Sequence, residues 1–336
     1  MRHKTLSECY SIFTVKVQHS TRICTHRKYS TSIQDAKPFK SIPGLSSLPY
    51  IGPLHHFLPI IGEFGPNANI FNVIGTLHKK FGSVVKMNGV FARANMVILF
   101  DPKLIDQVYR SQESNPLRPG FETMEYYREV INKDIFADGI YGLTTAQGPK
   151  WRDFRTKVNP ALLKLKLVRV YTPPLDEIAQ DLVSRLKQLK DNTTYLTENF
   201  MHEVNKWSLE SVAYVGLGDR LGCLTDELTP EHPASKLMKC SKDIMETSFQ
   251  LEFVPHPWKY ISTPAFKRLM KTYDTQWQIS AMYIDGAKKR FNARGHDIPE
   301  EDKSILEKLL AIDERVAVMM GNEMLMAGID TVAFAT

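Results

Sequence analysis

The chain has 336 residues, of which 43% are hydrophobic and 24% charged, as is ordinary for a globular protein. The net charge of +6 is concentrated in the first 30 residues, and the rest of the chain carries about +1. This distribution argues against nucleic-acid binding, because the basic excess is not a patch on a folded domain. No run reaches the roughly 18 uncharged apolar residues that a membrane-spanning helix needs. The closest run, 316–336, contains Asn322, Glu323 and Asp330.

Residues 1–29 have the composition of a mitochondrial presequence, rich in Ser, Thr and basic residues and poor in acids. Arg27 in "RKYST" resembles the start of a processing-peptidase site with a cut after Tyr29. We therefore predict a transit peptide and a location on the matrix side of the inner membrane. The alternative is a disordered basic tail. No two of the four cysteines form a CxxC pair, and this fits a reducing compartment such as the matrix.

The remaining chain predicts a mainly α protein with one small β-sheet near its start. A proline-rich connector covers 30–66, and the main domain covers 67–336. The predicted strands are 83–89 and 95–100, and 113–146 is expected to be irregular. Apolar periodicity, proline starts and the capping box Ser304-x-x-Glu307 predict the helices. These are 67–82, 101–112, 149–158, 174–190, 198–216, 236–251, 264–294, 304–309 and 311–336.

The stretch "GPKWRDFRTKVNP" places Trp151 and Arg155 four residues apart on one helix face. An indole N–H and a guanidinium on the same face can together hold a carboxylate, with the arginine binding it in a charge-assisted way. A plain stacking pair of Trp and Arg on the surface is the alternative reading of these residues.

The stretch "MLMAGIDTVAFAT" places small and polar residues inside an apolar helix. Gly328 follows Ala327, and it suggests close approach of a flat or bulky group, because glycine costs about 1 kcal/mol in a helix. Thr331 can bond a carbonyl four residues back, and Asp330 can act as an acid–base group. A small-residue contact between helices with a solvent-facing Asp-Thr pair is the alternative.

These motifs occur in order on one helical chain, which resembles the cytochrome P450 family of haem-thiolate monooxygenases, specifically the mitochondrial arthropod type. The resemblance runs from about Phe39 to the last residue. "IPGLSSLPYIGPLHHFLP" is similar to the family's proline-rich entry, and "WRDFR" to its Trp-x-x-x-Arg motif. "AGIDTV" resembles the family's oxygen-side motif, with Val332 where Thr or Ser is more usual. "WSLESVAYVGLGDRLGCL" resembles a helix of the mitochondrial members.

The resemblance implies the family's fold, a haem cofactor and insertion of one oxygen atom into an apolar substrate. It implies that Trp151 and Arg155 contact the haem propionates and that Ala327 and Gly328 let the long helix pass over the haem. Asp330 and Thr331 would help deliver protons to dioxygen. The loop 113–146, the segment "FVPHPWKYISTP" and the apolar residues before Ala327 would shape the substrate pocket.

The resemblance also implies partners. Electrons would come from a mitochondrial ferredoxin, for which Arg152, Lys157 and Lys164 are candidate contacts, and the protein would touch the inner membrane peripherally.

The family's iron-binding cysteine motif has no match in this sequence, because none of Cys9, Cys24, Cys223 and Cys240 has the required neighbours. The chain therefore offers no metal ligand. Two hypotheses follow: a monooxygenase whose N-terminal part ends within the long helix, or a truncated and inactive product that is at most a binding remnant. A nucleotide site at Gly216-x-Gly218 is set aside, because Leu221 breaks the glycine pattern.

Overall fold

The structure is a computed structural model, and it describes most of the chain after the first 36 residues. The described ranges are 37–65, 70–89, 95–111, 115–136, 140–164, 168–191, 200–225, 228–252, 256–294, 299 and 303–335. The predicted presequence lies outside the described residues. By contacts, the chain divides into two units, Met1–Ile42 and Pro43–Thr336. In the first unit, the described residues include one 3₁₀ turn, Phe39–Ser41.

The second unit begins with a small layer of one helix against two strands. Strands β1 (Val84–Met87) and β2 (Met96–Leu99) pair antiparallel, with Val85 opposite Ile98. Helix α1 (Ile70–Phe81) packs beside β1, and both strands agree with the predicted positions. A separate apolar cluster holds this layer together: Leu45, Phe57, Val73, Leu77 and Val85.

The rest of the unit is helical, and the predicted helices agree with the observed ones within a few residues. The helices are α2 (Pro102–Ser111), α3 (Glu122–Tyr126), α4 (Gly142–Thr145), α5 (Gly148–Leu162), α6 (Thr172–Asp191), α7 (Phe200–Leu217), α8 (Pro233–Glu252), α9 (Pro264–Arg294), α10 (Ile305–Leu310) and α11 (Glu314–Ala335). The Ser304–Glu307 capping box forms as predicted at the start of α10.

The stretch 113–146 differs from the prediction, because its described part contains two short helices. Helix α3 continues into a π-helical turn, Tyr127–Ile131, and α4 follows. Met124 and Tyr127, three residues apart, are both buried in the main core and hold the short helix in place. These helices are stabilised by tertiary packing rather than by the helix propensity of their residues. No periodic sequence pattern therefore predicts them.

Helix α5 is longer than predicted and includes Pro160, a residue expected to end it. Val158 and Ala161 are buried on the inner side of the same turn, so packing stabilises a turn that the proline weakens. Trp151 lies in the first turn of this helix, and Arg155 lies near its middle.

Helix α11 runs through the main core and contacts helices α4, α5, α7, α8, α9 and α10. Asp313 caps it, with Oδ1 accepting from the backbone N–H of Arg315 at 2.9 Å. Contrary to the charge-based expectation, Glu314–Ala333 is long and apolar enough to cross a membrane by length and composition. However, 61% of its most apolar window is buried inside the protein, so this is weak evidence for a span.

Candidate functional site

One line of residues on α11 changes from buried to exposed along the helix. Glu323, Ala327 and Thr331 follow each other at intervals of four and therefore share a face. Glu323 is buried, whereas Ala327 and Thr331 are exposed. The Thr331 hydroxyl donates to the Ala327 carbonyl, as expected for a threonine inside a helix. The exposed part of this face is flat, because Ala327 contributes only a methyl group.

Gly328 lies on another side of α11, where helix α7 approaches it closely. A Cβ at Gly328 would fall 2.5 Å from Cγ2 of Val212, closer than real Cβ atoms come to a neighbour. The Ser208 hydroxyl, also on α7, lies 2.7 Å from both the Gly328 and the Ile329 carbonyl oxygens. The glycine therefore serves a tight contact between helices, and this is the alternative reading of its motif. Its expected role beside haem stays a prediction.

Asp330 is half-buried and is held by polar groups of two neighbouring helices. The Ser241 hydroxyl on α8 donates to Asp330 Oδ2 at 2.8 Å, and Asn205 Nδ2 on α7 lies 3.5 Å from Oδ1. Asp330 and Thr331 are neighbours in sequence, but only Thr331 is on the exposed face. The carboxylate is thus fixed between α7 and α8 rather than facing open solvent.

Trp151 and Arg155 are both half-buried on α5, which contacts α11. The guanidinium carbon of Arg118 lies 4.7 Å from the centroid of the Trp151 ring, a cation–π geometry. Within the described part of the chain, no hydrogen bond or ion pair holds the Arg155 guanidinium. Arg155 and Trp151 on α5, together with Arg118 on the preceding segment, therefore offer two guanidinium groups and an indole N–H as donors to an anion.

Arg118 was missed from the sequence, and its backbone is fixed by Gln147. The Gln147 side chain accepts from Arg118 N and donates to Arg118 O at 2.8 Å, which ties the segment around Arg118 to the start of α5. The Arg118 Nη2 also donates to the Leu143 carbonyl at 3.3 Å. These contacts join residues 25 to 29 positions apart, so no local spacing could have revealed them.

A buried ion pair joins the π-helical turn after α3 to α11. Arg128 Nη1 donates to Glu323 Oε1 at 2.9 Å, and both side chains are 3% exposed. The Glu323 carboxylate also accepts from the backbone N–H groups of Leu143 and Thr144. The sequence offers one signal for this pair, because Glu323 is an acid within an apolar run. Such an acid indicates a buried ion pair.

The residue types at these two places suit a flat dicarboxylate such as haem. The flat, exposed Ala327–Thr331 face offers room beside a helix that is otherwise mostly buried. Arg155, Trp151 and Arg118 supply cationic and N–H donors that suit carboxylates. The donor set therefore fits the propionate side of a haem, whereas the described cysteines do not fit the iron.

The two described cysteines are buried and poorly suited to ionise. Burial raises the pKa of the Cys223 thiol far above its usual range and that of Cys240 to about 11. A thiolate is the form that binds iron, so both are disfavoured as ligands. Cys223 also lies in a turn whose backbone N–H groups donate to the Glu210 carboxylate.

A model of the cytochrome P450 family matches residues 43–336. Cytochrome P450 CYP12A2 of Musca domestica is 36% identical over 316 residues, covering 91% of this chain and 58% of that protein. Two Drosophila melanogaster proteins also match. Probable cytochrome P450 12a5, mitochondrial, is 35% identical, covering 88% of this chain and 55% of that protein. Probable cytochrome P450 301a1, mitochondrial, is 31% identical, covering 92% of this chain and 56% of that protein.

The chain thus spans between 55% and 58% of the length of these three relatives. The family match covers the whole helical unit, including α5 and α11. On this match and the helical fold with its small antiparallel sheet, the chain belongs to the cytochrome P450 family.

Proposed function

We propose that these 336 residues supply the propionate side and the oxygen side of a haem-dependent monooxygenase. The reaction inserts one oxygen atom from dioxygen into an apolar substrate. The observation that carries this proposal is the exposed Ala327–Thr331 face on a mostly buried helix that is in contact with α5, the helix that carries the half-buried Arg155. The family match supports it.

In this proposal, Arg155 and Trp151 bind the carboxylates of the cofactor, and Arg118 adds a second guanidinium. Arg155 has its donors available among the described residues, whereas Arg118 shares its donors with the Leu143 carbonyl. When bound, haem supplies the activation of dioxygen. Ala327 leaves room for the ring, and Gly328 sets the distance between α11 and α7 through Val212.

Thr331 and Asp330 have different tasks in the proposed reaction. Thr331 holds a proton at Oγ1 on the exposed face, while its hydroxyl oxygen remains able to accept a hydrogen bond. Asp330 exchanges protons at its carboxylate on the side of α7 and α8, where Ser241 and Asn205 orient it. The helix thereby separates the group at the site from the group that resupplies it.

The apolar substrate would meet the described parts of 113–146 and 253–264, together with the apolar residues before Ala327. Phe121 is half-buried, and Leu325 and Met326 are buried beside this region, so the walls are largely apolar. A mostly apolar wall with few polar groups is what a pocket for an apolar molecule requires.

The second candidate is that the 336-residue chain alone is inactive. Cys223 and Cys240 are buried, with raised thiol pKa values, so neither serves as a thiolate ligand. Under this candidate, none of the four cysteines holds the iron, and the 336-residue product is at most a binding remnant.

The test uses the protein encoded by the complete transcript, with haem content measured per protein after purification. If the coding region supplies a cysteine of the family's motif, the wild-type product should bind haem stoichiometrically. R155A should reduce haem affinity at least about tenfold, because a charge-assisted hydrogen bond contributes about 1.5–3 kcal/mol. R152A, an exposed arginine of the same helix, is the matched control and should leave haem content unchanged. Equal haem loss in both variants, or in neither, would contradict the role of Arg155.

We propose a mitochondrial location and a ferredoxin as the electron donor, because two of the relatives above carry the word mitochondrial in their names. Lys157 and Lys164 are exposed around the end of α5, and Arg152 is exposed near its start. An acidic ferredoxin should bind this surface more weakly as salt rises. K157E should lower its affinity, measured by calorimetry, while the exposed K187E on α6 should not.

We also propose that an exposed apolar surface touches the inner membrane peripherally. Tyr50, Ile60 and Ile61 are 94%, 95% and 78% exposed, and Tyr260 and Ile261 are 68% and 61% exposed. Tyr50 and Tyr260 line one open groove of about 580 Å³, so the two segments adjoin. Exposed apolar groups of this density mark interaction surfaces.

Flotation with cardiolipin-containing vesicles tests this contact. The double variant I60S/I61S should lose most of the vesicle binding. V183S, which changes an apolar residue 48% exposed on α6, should keep it. Unchanged binding in I60S/I61S would overturn the assignment of this surface.

A further inference from the structure

The Glu323–Arg128 ion pair is almost fully buried, with both side chains 3% exposed. Among the described residues, the polar contacts of the Glu323 carboxylate come from Arg128, Leu143 and Thr144. Oε2 accepts from Leu143 N at 2.7 Å, and Oε1 accepts from Thr144 N at 3.1 Å and from Arg128 Nη1 at 2.9 Å. The same Arg128 Nη1 lies 2.6 Å from the Tyr141 carbonyl and 3.1 Å from Thr145 Oγ1.

Gly142 makes room for this carboxylate. Its backbone has a φ of +74°, and a Cβ there would lie 2.2 Å from Glu323 Oε1. A side chain at position 142 and the carboxylate therefore cannot occupy the same place. The segment around α4 is thus built around a charge that belongs to α11.

The contacts continue from Glu323 to the candidate cofactor site. Leu143 donates its N–H to Glu323, and its carbonyl accepts from Arg118 Nη2. Arg118 in turn lies over the Trp151 ring. The backbone of one residue, Leu143, therefore joins the Glu323–Arg128 pair to the cation next to the candidate propionate site.

We propose that Glu323 and Arg128 are a positioning pair, which fixes α4 and Arg118 relative to the face of α11 that carries Ala327 and Thr331. Neither residue touches the cofactor in this proposal. The consequence for cofactor binding rests on the proposed function, whereas the placement of Arg118 over Trp151 does not.

The carboxylate cannot be replaced by an amide of equal size. Both oxygens of Glu323 accept hydrogen bonds from N–H groups. A glutamine must turn its NH₂ group toward one of these donors, which leaves a buried donor without a partner. E323Q should therefore release the Leu143 or the Thr144 N–H.

The test compares E323Q with E210Q in the full 336-residue chain. Glu210 is also a buried helical carboxylate that accepts from backbone N–H groups of a turn, those of Leu221, Gly222 and Cys223. It contacts neither α4 nor Arg118 through any described hydrogen bond, so it controls for the general cost of a buried amide. Two measurements are made: amide hydrogen exchange of peptides covering 140–147, and fluorine NMR after labelling with fluorotryptophan. The chain has four tryptophans, and a Trp-to-Phe substitution assigns the Trp151 resonance.

In E323Q we expect exchange in 140–147 to rise about tenfold or more relative to the rest of the chain, because protected amides lose their acceptor. The Trp151 resonance should shift, since Arg118 is no longer held above the ring. E210Q should change neither. E323D, which keeps the charge beside Arg128 but withdraws it from the amides, should give the same local signature with less loss of stability.

Two results would overturn the positioning role. One is an E323Q effect that spreads evenly over the chain, as a merely structural carboxylate would produce. The other is an unchanged Trp151 resonance in both E323Q and E323D. Because neither readout involves haem, a failure of the proposed monooxygenase function would leave this test intact.

Discussion

The two halves of α11 differ in how completely the rest of the chain surrounds them. From Val316 to Glu323, nearly every residue is buried, and only Val318 is half-buried. From Met324 to Ala333, one side is buried, while Ala327 and Thr331 are exposed. The same helix is therefore a core element in its first half and has one open side in its second, where we propose the cofactor site.

The polar groups of the two halves follow this difference. In the first half, Asn322 accepts from Gln276 on α9 at 2.9 Å, and Glu323 pairs with Arg128. On the exposed face of the second half, Thr331 bonds only its own helix, at Ala327, among the described contacts. Substitutions should therefore cost much in the first half, less at the α7 contact, and little on the exposed face.

The largest effect is expected for R128M, which leaves the Glu323 carboxylate buried without its cation. Breaking a buried pair on one side costs about 3–5 kcal/mol of unfolding free energy. Urea denaturation measures it. R110M breaks an ion pair whose side chains are 69% and 59% exposed and should cost less than about 1 kcal/mol. Similar losses in the two variants would contradict the difference between buried and exposed pairs.

A smaller effect is expected for G328A, where the new methyl group meets Val212. Overpacking costs about 1–3 kcal/mol, and the better helix propensity of alanine returns about 1 kcal/mol. The double variant G328A/V212A should be more stable than the two single effects added, by about 1 kcal/mol. Strict additivity would mean that Val212 does not limit the residue at position 328.

A loss of about 1 kcal/mol is expected for S208A, which removes the hydroxyl that lies between the Gly328 and Ile329 carbonyls. S184A makes the same chemical change at an exposed position of α6 and corrects for helix propensity. If S208A were as stable as S184A relative to wild type, the contact between α7 and α11 would not depend on this hydroxyl.

The smallest effect is expected for T331V on the exposed face. Its side chain touches no other element through a described hydrogen bond, so the unfolding free energy should change by at most about 0.5 kcal/mol. The same denaturation measurement checks it. A loss above about 1 kcal/mol would show that this face is packed rather than open.

The sequence was sufficient for elements that carry local signals. Pro264 begins α9, Ser304 and Glu307 form the capping box, and β-branched and apolar residues around a turn mark the two strands. It was insufficient for α3 and α4, because short helices are stabilised by distant contacts. Helix α4, for example, depends on Glu323, about 180 residues further along the chain.

The candidate site divides in the same way. Trp151 and Arg155 share a helix face, and their spacing of four predicts it. The Asp330 side chain reaches Ser241 because of the way α8 packs against α11. No spacing of residues in the sequence predicts that packing. Likewise, Arg118 reaches Trp151 through an irregular segment that Gln147 fixes.

The central claim is that this chain carries the propionate and oxygen sides of a haem site while none of its four cysteines binds the iron. The ferrous carbon monoxide difference spectrum of the 336-residue chain, expressed with haem, tests it most directly. We predict no thiolate-type band, because none of the four cysteines has the neighbours of the family's iron-binding motif. A thiolate-type band from this chain would contradict the account.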